Sequence, residues 1–111
     1  MLGHASHIAR ASKVTLQINA ASVPVLPGTI EAWKAGASSD GLKRNQEYLE
    51  SMVTWTEQSL ETRAVLCDPQ TSGGLLVCVP RGHVAQYLSK VEGAVEIGEV
   101  IEQKESAIEI N

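Results

Sequence analysis

Phenylalanine is missing from this 111-residue chain, and two tryptophans and two tyrosines are its whole aromatic complement. The core therefore has to be assembled from Val, Ile, Leu and Ala. Basic charge is also sparse. Nine Lys and Arg face 13 Asp and Glu, for a net charge of −4. The cations (Arg10, Lys13, Lys34, Lys43, Arg44, Arg63, Arg81, Lys90 and Lys104) are scattered and form no stripe, which argues against a nucleic-acid partner. No apolar run approaches the roughly 18 residues of a membrane span. The first residues lack the charged and apolar regions of a secretory signal. The expectation is a cytoplasmic protein with no membrane partner. There are only two cysteines, Cys67 and Cys78, which are expected to be reduced in that compartment. Cys78, inside "LLVCV", reads as a buried small hydrophobe. Cys67 has no Lys, Arg or His beside it in sequence to depress its pKa.

Chemical motifs are equally scarce. There is no GxGxxG or Walker loop, and no Ser–His–Asp or Cys–His arrangement can be argued. His4 and His7 are three apart on the polar face of the first predicted helix, but no Cys, Asp or Glu beside them completes a metal site. Glu47, Glu50 and Glu57 read as a solvated face, and His83 as a surface residue. No metal ligand and no catalytic residue is assigned.

Hydrophobic spacing predicts the order α, β, α, α, α, β, α, β, β. Leu2, Ala5, Ile8 and Ala9 mark a helix over 1–12, which has no capping residue in front of it. "KVTLQINA" (13–20) alternates as a strand with one wet face. Leu26, Ile30 and Trp33 mark a helical face that ends near Gly36. Residues 42–52 can be helical, and 53–58 are ambiguous between strand and loop. Residues 59–67 read as a short helix opening at Ser59. "GLLVCVP" (74–80) is a nearly continuous apolar run, as in a central strand covered on both faces. Residues 81–93 form a helix with Val84, Leu88 and Val91 facing inward and Gly93 at its end. Residues 94–103 and 106–110 read as strands. The expected fold is an α/β (α+β) sandwich with a mixed sheet, in a single domain over 1–111.

One stretch breaks the pattern. "CDPQTSGGLL" (67–76) puts an acid, a proline, an amide, two hydroxyls and two glycines in one connection. It can be a tight turn in which Asp68 and Thr71 bond their own backbone. It can also be an anion-binding nest, with Gly73 and Gly74 at φ > 0. "KRN" (43–45) follows a glycine-bearing loop, and Arg44 could hold a phosphate or carboxylate in its fork.

"DPQTSGGLL" (68–76) resembles the signature near the C-terminal end of the selenophosphate synthetase (selenide, water dikinase) family. Weaker pieces follow in the family's order. They are "LGH" (2–4), "VPVLPG" (23–28), "GLKRNQEY" (41–48), which fits G-x-x-R-N-x-x-Y, and "IGEV" (97–100). The resemblance implies a domain of the aminoimidazole ribonucleotide synthetase superfamily. It implies a homodimeric parent enzyme that makes selenophosphate from selenide, ATP and water, releasing AMP and phosphate, with Mg²⁺. The family's reactive Cys or Sec and most of its metal-binding aspartates belong to an N-terminal domain not represented here. The chain is thus expected to be an N-terminally truncated C-terminal domain, inactive alone, binding neither ATP nor Mg²⁺ by its own residues, and partnered by the missing N-terminal domain. An uncovered sheet edge is expected to promote self-association. Neither Cys67 nor Cys78 sits in the nucleophile's motif. By resemblance, Asp68, Thr71, Ser72, Gly73, Gly74, Arg44 and Asn45 support the phosphate side of the nucleotide site. The competing reading is a free-standing nucleotide- or phosphate-binding or regulatory module. Thiamine-monophosphate kinases and hydrogenase-maturation proteins share the domain type but lack the intact loop run.

Overall fold

The computed structural model describes residues Met1–Asn111. Helix α1 (Leu2–Ser12) runs into strand β1 (Val14–Ile18), followed by a 3₁₀ turn at Ala20–Ser22 and the short helix α2 (Thr29–Lys34). Helix α3 (Asp40–Leu49), strand β2 (Val53–Trp55) and helix α4 (Leu60–Cys67) come next. After a long extended stretch, a 3₁₀ turn (Arg81–His83) leads into α5 (Val84–Lys90), β3 (Gly98–Glu102) and β4 (Ile108–Ile110).

The four strands form one mixed sheet in the order β2-β4-β1-β3. β4 lies parallel to both β2 and β1, and β3 runs antiparallel along the other edge of β1. α1 buries Leu2, Ala5, Ser6 and Ala9, an i, i+3, i+4, i+7 stripe. Small side chains in that stripe let the helix lie close over β1 and β4. α3 and α4 stack on α1, and α2 lies against α4. The core joins Leu16, Ile18, Leu42, Leu49, Val53, Ala64, Leu66, Ile108 and Ile110. Thr15 is fully buried, but its hydroxyl donates to the Ser106 carbonyl (2.7 Å) and accepts from the Lys104 N–H (2.9 Å). A buried polar group so satisfied carries little penalty.

The α/β architecture with a mixed sheet is as the sequence implied, and Ser59 caps α4 through its side chain. Gly36 follows α2 at φ 94° and Gly93 follows α5 at φ 76°, the left-handed backbone expected past a helix end. Four expectations fail. "GLLVCVP" is not a central strand. It runs extended without a ladder partner, Leu75 is 93% exposed, and Cys78 is exposed rather than buried. The ambiguous stretch around Val53 takes a place in the sheet instead, because β4 offers it a parallel edge. Leu88 and Val91 face solvent, since α5 packs mainly on the 3₁₀ turn before it. Leu26 lies outside α2 and is also exposed.

The packing is therefore uneven, and no residue from Gln70 to Ile101 is buried. The accessible surface is 7675 Å², about 1,700 Å² more than a monomer of 11.9 kDa is expected to show.

The division between core and uncovered arm is testable by urea unfolding. Ile108→Ala should cost about 2–5 kcal/mol. Leu75→Ala should change stability by less than about 0.5 kcal/mol. A comparable loss at both positions would place Leu75 in the core.

Candidate functional site at the junction of α3 and α4

Ser39 is extended, and α3 begins at Asp40. Its buried residues Leu42 and Leu49 fix the helix on the core. Gly41 and Asn45, four residues apart, then share a second face, and this face meets the C-terminal end of α4. α4 buries Ala64, Leu66 and Cys67 and stops at Asp68 (φ −55°, ψ 136°). The following Pro69 disfavours helical geometry at Asp68, so the chain turns out of the helix there.

Two contacts join the helices. Asn45 Nδ2 donates to the Cys67 carbonyl at 2.8 Å. A Cβ placed on Gly41 would lie 2.8 Å from Pro69 Cγ and 3.3 Å from its Cβ, so only glycine fits against the ring at this spacing. Arg44 Nη2 lies 3.9 Å from the same point. Arg44 is exposed and enters none of the four ion pairs. The Met1 amino group donates to the carbonyls of Leu66 (3.3 Å) and Asp68 (3.5 Å), and burial pushes its pKa down.

Beyond Pro69 the loop is open to solvent. Residues 70–75 are exposed, and Ser72 N–H donates to Gln70 Oε1 at 3.0 Å. The N–H groups of Thr71, Gly73 and Gly74 have no partner in the chain. Gly73 and Gly74 do not adopt φ > 0, which is found only at Lys13, Gly28, Gly36 and Gly93. The nest geometry expected of the glycine pair is thus absent. The turn alternative fails in its detail too, because neither Asp68 nor Thr71 bonds its own backbone by its side chain and Gln70 closes the turn instead.

The structure therefore brings Arg44 and Asn45 to the root of the loop holding Asp68, Thr71, Ser72, Gly73 and Gly74. Asn45 faces the backbone rather than an open cleft. Gly41 was quoted as the first residue of the G-x-x-R-N-x-x-Y match but given no role at the site, although its spacing four residues before Asn45 was the available signal. Arg63 was also missed; its guanidinium lies 5.2 Å over the Trp55 ring, and its Nε is buried without a hydrogen-bond partner. No group of three or more His, Cys, Asp and Glu side chains is placed to hold a metal ion. His7 instead packs beside Tyr48, ring centroids 6.2 Å apart. A cavity of about 240 Å³ lies along α5, lined by Val79, His83, Gln86, Tyr87, Lys90 and Val91. None of these residues belongs to α3 or to the loop.

These features define an α/β domain with a mixed sheet, in which one helix carries an unpaired arginine to the foot of a proline- and glycine-bearing loop. The chain belongs to the family described as AIR synthase related protein, C-terminal domain, whose model matches residues 1–111. It is similar to a selenide, water dikinase of Clostridium botulinum (strain Alaska E43 / Type E3), 36% identical over 115 residues, covering 99% of this chain and 33% of the relative. It is similar to selenide, water dikinase 2 of Peptoclostridium acidaminophilum, 36% identical over 112 residues, covering 96% and 32%. A selenide, water dikinase of Photobacterium profundum is 38% identical over 93 residues, covering 82% and 26%. The chain thus spans about a third of the length of the first two relatives. No helix is long and apolar enough to cross a membrane.

The two thiols should differ sharply. Burial pushes the Cys67 thiol above its ordinary value of 9.0, against the smaller opposing pull of the Met1 ammonium and Arg63. Cys78 is exposed. Ellman's reagent at pH 8 should titrate one thiol per folded chain at once and the second only on unfolding. Because the folded pKa is raised, the Cys67 contribution to stability is intact below about pH 9 and is lost as pH rises toward the folded value. Two thiols reacting at equal rates would contradict this assignment.

Proposed function

We propose that this chain is the C-terminal part of a selenophosphate synthetase, and that the α3–α4 junction supports the phosphate side of its nucleotide site. The whole enzyme would convert selenide, ATP and water into selenophosphate, AMP and phosphate. Phosphoryl transfer of this kind depends on positioning and on screening of negative charge. The observation that carries the reading is the placement of Arg44 close to Gly41 and Pro69, at the root of the 68–74 loop, although Arg44 and Pro69 are separated by more than twenty residues in sequence. The unpaired guanidinium offers two parallel donors to a phosphate. The free N–H groups of Thr71, Gly73 and Gly74 and the hydroxyls of Thr71 and Ser72 add donors further along the loop. Asp68 turns the chain out of α4.

ATP and Mg²⁺ belong to the whole enzyme in this proposal. The reactive groups are assigned, in this proposal, to the portion of the enzyme that this chain does not span. The uncovered arm supports that view. Leu75, Val77, Leu88, Val91 and Val95 are exposed on a stretch with no core of its own. The surface excess of about 1,700 Å² is roughly twice the ~800 Å² each partner buries in a standard interface. We assign this surface to the rest of the enzyme, with self-association of the bare chain as its consequence, and we place the enzyme in the cytoplasm as a dimer.

The test is a chimera in which this chain replaces the matching C-terminal third of the Clostridium botulinum relative. With selenide and ATP the folded chimera should form AMP, and the 111 residues alone should not. Arg44→Ala in the chimera should lower kcat/KM about ten- to a hundredfold, the loss expected of about 1.5–3 kcal/mol from a charge-assisted hydrogen bond. A folded chimera indifferent to Arg44→Ala would contradict the role of the junction. Turnover by the isolated chain, or calorimetric binding of ATP, ADP or phosphate to it, would favour the free-standing module.

A further inference from the structure

We propose that Asn45 is a positioning residue. Its amide, together with the Gly41–Pro69 contact, fixes the direction in which the Asp68–Gly74 loop leaves α4. This rests on the reading that the loop faces phosphate, but it concerns the loop's geometry, which can be measured without any ligand.

The last four carbonyls of a helix lack partners within it. At the end of α4 one of these, the Cys67 carbonyl, sits on a buried residue. Asn45 Nδ2 meets it at 2.8 Å. Two residues later, Pro69 abuts Gly41 with no room for a methyl group. The ring cannot rotate away as a flexible side chain could, so the contact constrains the backbone on both sides of it. Past that point the loop makes only local bonds, Gln70 N–H to the Asp68 carbonyl at 2.8 Å and Ser72 N–H to Gln70 Oε1 at 3.0 Å. Nothing downstream of Pro69 ties the loop to the body of the domain before the half-buried Leu76. Its aim is therefore set at its root, and the setting element is α3. The same helix carries Arg44 one residue before Asn45. Arginine and loop are thereby held in one frame, and a shift of α3 would move both together.

Asn45→Asp separates the hydrogen bond from packing. The side chain keeps its shape, but at pH 7 its carboxylate cannot donate and repels the carbonyl. In the unliganded chain the amide resonances of Asp68, Gln70 and Ser72 should shift, and their hydrogen exchange should quicken roughly fivefold or more, the scale of losing a bond of about 1 kcal/mol. The far-UV circular dichroism should be unchanged. Acidification below the introduced group's pKa, near or above ~4, restores a donor, so the shifts should reverse. The exposed neighbour Gln46→Asp should leave all three amides in place. If Asn45→Asp does not fold, Gly41→Ala provides the second reading, since its methyl must displace Pro69 and move the same resonances. Loop amides that coincide with the parent's in the folded variants would overturn the proposal. Such a result is distinct from failure of the phosphate reading, which would show as a chimera insensitive to Arg44→Ala.

Discussion

The end of α4 imposes the constraint on which the site depends. Helix carbonyls there cannot be left without donors once Leu66 and Cys67 are buried. Water has little access, so donors must come from elsewhere in the chain. Asn45 supplies one from α3. Meeting this demand brings the fifth and sixth residues of α3 to the exit of α4. A need of backbone chemistry thus places an exposed arginine beside a loop rich in donors.

The remaining architecture serves that junction. β1 sits between β3 and β4 and gives α1 a flat apolar bed. α1 in turn carries α3 and α4. The junction therefore rests on the part of the molecule that is well packed. The arm after the loop is different in kind, with an extended apolar run, a helix and exposed valines but no core. The loop lies where the two regimes meet, rigidly rooted on one side and leading to uncovered surface on the other. A domain that contributes one wall of a larger site would have this distribution, with its stability concentrated behind the wall.

Much of the fold was legible in the sequence because its signals were local. The Leu2–Ala5–Ala9 spacing, the alternation of Val14, Leu16 and Ile18, the Ser59 cap and the glycines after α2 and α5 each act within a few residues. What failed depended on partners distant in sequence. Apolar character alone made residues 74–80 read as a central strand, yet a central strand needs a hydrogen-bonded neighbour on each side, and the two interior places of the sheet are taken by β4 and β1. Burial of Cys78, Leu88 and Val91 was inferred from the same missing cover. At the site, the resemblance identified Arg44, Asn45 and the loop, whereas their mode of contact was out of reach. Two glycines in a row suggested left-handed backbone, but Gly73 and Gly74 take ordinary φ values. The glycine that matters sterically at this site is Gly41, whose neighbour Pro69 is far along the chain.

The most direct measurement of the central claim is the nuclear Overhauser effect between the Gly41 α-protons and the Pro69 ring protons in the free chain in solution. The α3–α4 junction predicts a strong cross-peak between them, because a Cβ at Gly41 would sit 2.8 Å from Pro69 Cγ. A well-resolved spectrum with no such cross-peak, and with the Pro69 ring showing effects only to its sequence neighbours, would contradict the claim that α3 seats the loop.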